Sequence, residues 1–238
     1  LGHILSTWRK KVFTGGNLGN PLINAVEGDY DFVVAEISSF QLETVETFCP
    51  RVGILLNVAP NHLDRHGDFE AYVAAKERMF ARMLEEDRAI LNIDDPVCLE
   101  IGRKLRASVW FFSGRPNGKA DIHADRKSIL LRDSRSISLA GFKLLGAHNV
   151  ENAVAATAAA IAVGCPSDKI EKGLKTFNAL PHRLELVDSV RGVRFVNDSK
   201  STTPDASVQA LNSFDAPSIV LAGGRSKGVP YHRIGKAA

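Results

Sequence analysis

The sequence predicts an α/β protein with a mainly parallel central sheet flanked by helices. Three observations lead there. Short apolar runs alternate with helix-period patterns along most of the 238 residues, the order expected of strands joined by helical crossovers. Runs such as Phe32-Val33-Val34-Ala35 are apolar without alternation, which implies burial on both sheet faces. Four polar clusters each follow such a run, where open α/β sheets bind ligands beyond the carboxyl ends of their strands.

In order along the chain, Leu1-Gly2-His3-Ile4-Leu5 reads like part of an amphipathic helix. Strands are expected at 12–13, 32–37, 52–58, 88–93 and 109–112, and a helix over 69–84. Between 119 and 145 the character changes to short pieces with polar breaks (129–131 and 137–139), read as a small antiparallel appendage. Helices are expected over 149–163 and 167–177. Leu180-Pro181-His182-Arg183 breaks the pattern and reads as an interdomain joint, separating 1–180 from 181–238. Beyond it lie two expected strands, 184–190 and 193–196, and a helix starting at Pro204 with Thr203 as its N-cap. A last strand at 218–221 closes on Gly223-Gly224. There is no internal repeat.

Composition narrows the function classes. With 45% hydrophobic and 24% charged residues the chain reads as soluble and globular, and a net charge of +3 is too mild for a nucleic-acid binder, though scattered Lys and Arg suit a phosphorylated substrate. Cys49, Cys98 and Cys165 are odd in number, far apart and in no C-x-x-C pattern, which points to a reducing compartment without disulfides or a thiolate zinc site. The most apolar stretch, 153–165, is too short to span a membrane, and the first residues lack the basic region of a signal peptide. Both ends are abrupt and read as those of a piece of a longer protein.

The polar clusters are Gly15-Gly16-Asn17, Glu36 with Ser38-Ser39, Asn61-His62-Leu63-Asp64, and Asn197-Asp198-Ser199-Lys200. One is ordinary; four on the same edge suggest a shared site. Glu36 interrupts an apolar run, so its carboxylate is available to a hard cation such as Mg²⁺, although alone it is more simply a strand-end acid in water. His62 could reach the same ion, or be a solvated loop histidine. Lys76 falls near the middle of the apolar stripe made by Phe69, Tyr72, Val73, Phe80, Met83 and Leu84, at about 100° per residue. An inward lysine needs a partner or a polar cleft, and a deprotonated, desolvated one can take up CO₂ as a carbamate. Its stem packing while its head reaches water remains the alternative. The segment 198–204 joins a strand to a helix start and suits a phosphate or carboxylate, or is a capped polar loop. Gly223-Gly224-Arg225-Ser226-Lys227-Gly228 is a second Gly-rich cationic turn. His148-Asn149-x-x-Asn152 could read a base or ribose, or simply cap a helix.

Glu36-Ile37-Ser38-Ser39-Phe40-Gln41-Leu42-Glu43 resembles a string of the Mur ligase family, and among its members the one that adds D-glutamate. Supporting strings occur in the family's order: Gly15-Gly16-Asn17-x-Gly19, 57–64, Ala74-Ala75-Lys76, Gly146-x-His148-Asn149-x-x-Asn152, Pro181-His182-Arg183 and Asn197-Asp198-Ser199-Lys200-x-Thr202. The resemblance implies a Mur ligase ATPase domain followed by the start of a Rossmann-like α/β C-terminal domain. It implies a cytoplasmic enzyme, monomeric at full length, that makes an amide bond between UDP-N-acetylmuramoyl-L-alanine and D-glutamate in peptidoglycan biosynthesis, and so serves cell shape and division. ATP and two Mg²⁺ ions would be required. Glu36 would bind the Mg²⁺ at the ATP phosphates, and His62 with a carbamylated Lys76 the second. Asn17 and Ser38 would contact the muramoyl substrate, and Asn149, Asn152, Arg183 and Asp198 would position ATP. Lys200 as a catalytic cation, with Thr202 and Lys227, would face glutamate and the acyl phosphate.

Two departures matter. The family's Gly-x-x-Gly-Lys-Ser/Thr phosphate loop precedes the stretch matching Leu1, and its uridine-binding domain and most of its C-terminal domain are also outside these 238 residues. Rival readings are another Mur or folylpolyglutamate-type ligase and a non-catalytic nucleotide- or metabolite-binding module. A metal-dependent phosphohydrolase lacks the paired-Asp pattern. The 238 residues alone are expected to be inactive, and product formation from ATP, Mg²⁺ and both substrates would refute that.

Overall fold

The computed structural model describes residues 1–17, 19–178, 180–201, 204–214, 216–224 and 232–237. The chain divides into two compact units, Leu1–Gly141 with Glu151–Thr176, and Phe142–Val150 with Phe177–Ala238.

In the first unit, α1 (Gly2–Thr7) leads into β1 (Val12–Gly16), which pairs in parallel with β2 (Phe32–Glu36), from Val12 opposite Phe32 to Gly16 opposite Glu36. The strands are locked at their carboxyl ends by a close approach. Gly16 has φ +116°, and a Cβ there would collide with the Glu36 carbonyl, so only glycine lets the chain turn here. The amides of Gly16 and Asn17 then donate to Asn20 O at 2.8 Å and Glu36 O at 2.7 Å. A 3₁₀ turn, Leu22–Glu27, intervenes before β2 and leaves Ile23 and Val26 exposed.

After α2 (Ser39–Leu42) comes the larger sheet. Its strands are β3 (Val52–Leu55), β4 (Arg88–Asn92), β5 (Ser108–Ser113), β6 (Ile122–Ala124), β7 (Ser128–Leu131) and β8 (Ser136–Ser138), hydrogen-bonded in that order. Pairing is parallel from β3 to β6 and antiparallel from β6 to β8. The connections carry α3 (Leu63–His66), α4 (Phe69–Glu77) and α5 (Pro96–Gly102). Ala89, Ile90 and Leu91 of β4 are fully buried, as an unalternating apolar run requires of a strand covered on both faces. Leu55, Val58, Tyr72, Phe80, Met83, Leu91, Cys98 and Ile101 form the core beneath them. Asp95 fastens α5 to this core: its carboxylate caps the helix at Cys98 N (2.8 Å) and also takes Val58 N (3.1 Å).

Two more helices, α6 (Ala147–Ala162) and α7 (Ser167–Thr176), follow. Gly173 of α7 lets the α1 backbone approach at Ile4, and Thr7 Oγ1 donates to Lys169 O at 2.7 Å. The first turn of α6 belongs to the second unit. There β9 (Glu185–Val190) and β10 (Val193–Asn197) form an antiparallel hairpin, turning through Arg191 (φ 51°) and Gly192 (φ 81°), the paired positive φ values that two-residue hairpins favour. The remaining elements are α8 (Pro204–Leu211) and α9 (His232–Ala237).

The parallel α/β architecture is as the patterns predict, with four local differences. The expected appendage at 119–145 is antiparallel, but β6 pairs with β5, so it extends the main sheet instead of standing apart. The expected helix over 69–84 stops at Glu77 and tightens into a 3₁₀ turn, Arg78–Phe80. Phe80 and Met83 both turn into the core, and Asp87, buried and paired with Arg51 at 2.8 Å, takes Leu84 N at 2.9 Å to redirect the chain into β4. β2 is not buried on both faces, since Val33 is 50% exposed; within the described residues its ladder is with β1 alone. No strand forms at 218–221, where Ile219 and Leu221 are each 96% exposed. Apolar residues make a strand only when a neighbour completes the ladder, and among the described residues none does. Thr203 lies outside the described residues.

Asp95→Ala removes a cap and orphans the amide of Val58, so unfolding by urea should show a loss of about 1–3 kcal/mol. Gly16→Ala forces a Cβ into the Glu36 carbonyl at an unfavourable φ, and the same measurement should show a loss of at least about 2 kcal/mol.

Candidate functional site

The carboxyl ends of β1 and β2 meet first. The chain leaves β1 through Gly16, which brings Asn17 against the end of β2, and Asn17 Nδ2 donates to Glu36 Oε1 at 3.3 Å. The Glu36 side chain is exposed at this rim. Ser38 then starts α2 with a capping box. Its Oγ accepts from Gln41 N at 3.3 Å, and its own amide donates to Gln41 Oε1 at 2.9 Å. The Ser38-x-x-Gln41 spacing therefore has a structural use, satisfying otherwise orphaned helix-end donors.

A second group lies over α2, α3 and α4. His62 has left-handed φ and ψ (54°, 33°) just before α3, an uncommon backbone state outside glycine, and uncommon states gather at functional sites. Its ring lies 4.9 Å from that of Phe40. Phe40 also stacks on His66 at 5.5 Å with 5° between the planes, and His66 meets Tyr72 at 5.2 Å. Lys76 Nζ sits 5.0 Å from the centre of the Tyr72 ring. Lys76 is half-buried, and its head rests on the negative face of an aromatic ring. Sequence reasoning singled out His62 and Lys76 but missed His66, which lies between them. A signal existed: His62 and His66 are four residues apart, one turn of helix.

His66 is held at both nitrogens. Ser39 Oγ lies 3.0 Å from Nε2, and a Glu43 oxygen 3.2 Å from Nδ1, with the imidazole only 3% exposed. Glu43 also takes Arg65 Nη2 at 2.8 Å. Among the described residues Glu36 meets Asn17, whereas His62 and Lys76 are joined through Phe40, His66 and Tyr72. No three His, Cys, Asp or Glu among the described residues converge as a metal cage.

At the carboxyl ends of β4 and β5 a further polar cluster was not anticipated. Asp94 accepts from Ser113 Oγ at 2.5 Å, Arg115 Nη2 at 3.2 Å and Asn117 Nδ2 at 3.3 Å. Burial pushes the Asp94 carboxyl up, but these hydrogen bonds and the Arg115 charge outweigh it and hold the group below its ordinary range. Glu151 of α6 behaves oppositely: burial and the charge of Asp94 push its carboxyl up against the pull of Arg115.

Of the residues tied by resemblance to ATP, Asn149, Arg183 and Asp198 lie in the second unit and Asn152 in the first. Asp198 Oδ1 takes Leu184 N at 3.0 Å, and Ser201 Oγ donates to Oδ2. Lys200 N donates to His182 O at 3.1 Å, leaving the exposed ammonium to solvent. His182 and Leu184 have positive φ (66° and 44°), and Arg183 between them is exposed. His148, at the start of α6, is pushed down chiefly by burial, with the Asp198 charge opposing and that of Arg183 adding. Asn149 Nδ2 donates to Leu145 O at 2.7 Å, the capping use left open from sequence, and Asn152 is exposed. Thr202 and Lys227 lie outside the described residues.

The fold is one that known proteins share. The solved MurF of Acinetobacter baumannii superposes with a TM-score of 0.71 at 22% identity, over 90% of this chain and 51% of that one. A MurF ligase of Thermotoga maritima, solved in complex with ADP, gives a TM-score of 0.66 at 22% identity, over 90% and 54%. Sequence similarity is greater to the UDP-N-acetylmuramoylalanine–D-glutamate ligases of Pelotomaculum thermopropionicum (43% identity, 99% of this chain and 53% of the relative) and Koribacter versatilis (42%, 97% and 52%). The chain spans about half the length of the curated relatives it matches. The profile of the Mur ligase middle domain matches residues 3–160. Its residues, its sheet and its relatives agree that the chain belongs to the Mur ligase family.

Proposed function

We propose that the chain is part of a cytoplasmic, ATP-dependent ligase that joins UDP-N-acetylmuramoyl-L-alanine to D-glutamate for peptidoglycan synthesis. Residues 1–180 would form the ATP-binding domain, and 181–238 the start of a Rossmann-like, glutamate-binding domain. Relatives named for this reaction, at about 40% identity over nearly the whole chain, support the substrate assignment. Among the described residues no helix is long and apolar enough to cross a membrane. The full-length enzyme would act as a monomer.

The observation that carries the reading is the pairing of Asn17 with Glu36 at the ends of adjacent parallel strands. It leaves a carboxylate with open lone pairs, steadied by an amide, where open α/β sheets bind ligands. This donor set fits Mg²⁺, which binds through one or two carboxylates, several waters and substrate phosphates instead of an all-protein cage. Glu36 would hold the ion at the ATP phosphates, and His62 with a carbamylated Lys76 a second. Lys76 Nζ lies over the Tyr72 ring, so carbamylation would require it to leave the ring face. Bound Mg²⁺ would neutralise charge gathering as the γ-phosphoryl group moves to the substrate carboxylate.

The chain's own residues would do the rest. Asn17 and Ser38 would orient the muramoyl substrate. Asn149, Asn152, Arg183 and Asp198 would position ATP, with the Arg183 guanidinium at the phosphates. When the amine of glutamate attacks the acyl phosphate, the oxyanion of the tetrahedral intermediate needs fixed positive charge; Lys200 would supply it, with Lys227 and Thr202 facing the incoming glutamate.

The test is ADP release by the full-length protein with ATP, Mg²⁺ and UDP-N-acetylmuramoyl-L-alanine. Release should depend on D-glutamate, and Lys200→Ala should lower kcat by roughly a hundredfold or more. Dependence on another amino acid would reassign the chain to a relative with different specificity. Tight ATP binding without turnover would favour a non-catalytic module.

A further inference from the structure

We propose that His66 is a positioning residue, pinned by Ser39 and Glu43 so that its ring braces Phe40 and Tyr72, and through them His62 and Lys76. The inference rests on the roles proposed above for His62 and Lys76.

The imidazole is built in, not merely present. At 3% exposure it has lost water on every side, and each nitrogen has a protein partner, Ser39 Oγ at 3.0 Å and Glu43 Oε1 at 3.2 Å. Two partners on opposite nitrogens leave a planar ring no freedom to rotate without orphaning a buried polar atom, a cost of about 1–3 kcal/mol. Glu43 is fixed in turn by Arg65, one residue before His66 on the same short helix. The ring plane so fixed is parallel to Phe40 within 5°, and the same ring meets Tyr72 at 5.2 Å. Phe40 reaches His62 at 4.9 Å, and Tyr72 carries Lys76 Nζ at 5.0 Å. One locked ring thus controls the two aromatic surfaces on which the two site residues rest. These residues come from different elements, His62 from the loop before α3 and Lys76 from α4, so their separation depends on what lies between them. Groups that orient metal ligands from behind commonly affect metal affinity or activity by about 10–100-fold.

The experiment uses the full-length protein and measures D-glutamate-dependent ADP release across a Mg²⁺ titration, with thermal unfolding alongside. His66→Leu, which removes both the ring and its polar anchors, should raise the half-saturating Mg²⁺ concentration and lower kcat, together by roughly tenfold or more, with KM for D-glutamate unchanged. His66→Phe keeps a ring against Phe40 and Tyr72 but loses both polar anchors, and should recover only part of the lost activity. Phe40→Leu changes a half-exposed residue without disturbing the buried polar contacts, and should shift the Mg²⁺ dependence even if His66→Leu does not fold. Folded variants with wild-type Mg²⁺ dependence and kcat overturn the inference while leaving the proposed function standing. Loss of thermal stability without a Mg²⁺ shift also overturns it, because the residue would then be structural. If the unaltered protein shows no D-glutamate-dependent ADP release, the proposed function fails and this inference falls with it.

Discussion

A single backbone approach organises the rim of the smaller sheet. Gly16 lies so close to the Glu36 carbonyl that no side chain fits between them. That closeness lets Asn17 donate twice to Glu36, from its backbone to the carbonyl at 2.7 Å and from its amide group to the carboxylate at 3.3 Å. A parallel ladder leaves its final groups unpaired at the carboxyl edge, and here those groups are tied to each other and to an acid. Moving the backbones apart would weaken the register of β1 and β2 and the placement of Glu36 together, so fold and site share one constraint.

Elsewhere polar groups tie helix starts, turns and strand ends to one another. Ser38 caps α2 while its neighbour Ser39 reaches His66. Asp198 receives a backbone amide and a hydroxyl at the turn that carries Arg183. Asp94 is kept ionised by three donors while Glu151 nearby is pushed toward its neutral form, as expected when two acids share a partly buried space and one of them holds the available donors. These clusters follow β2, β4, β5 and β10, so each of them sits at the carboxyl end of a strand.

Legibility differed by element. β4 was readable because Ala89, Ile90 and Leu91 are buried on both faces, so unbroken apolarity mapped onto unbroken burial. The same pattern misled at β2, where Val33 is half exposed, and at 218–221, where apolar residues found no ladder among the described residues. The end of α4 was misread because Phe80 and Met83 keep the apolar stripe going after the backbone has changed hand-holds to Asp87. Glu36 and Lys76 were singled out by their awkward placement within apolar patterns, and His62 by its place in a polar cluster after a strand. His66, Asp94 and Glu151 were not, since each acquires its meaning from partners distant in sequence.

By itself, the order of residues determined the parallel α/β class and the family and singled out Glu36, His62 and Lys76 as candidates, because periodicity and short motifs are local properties of a chain. Only tertiary structure decided that Phe40, His66 and Tyr72 stand between His62 and Lys76, and that β6 to β8 prolong the main sheet. Ring contacts and strand neighbours join residues brought together by folding, and no spacing along the chain encodes such distances.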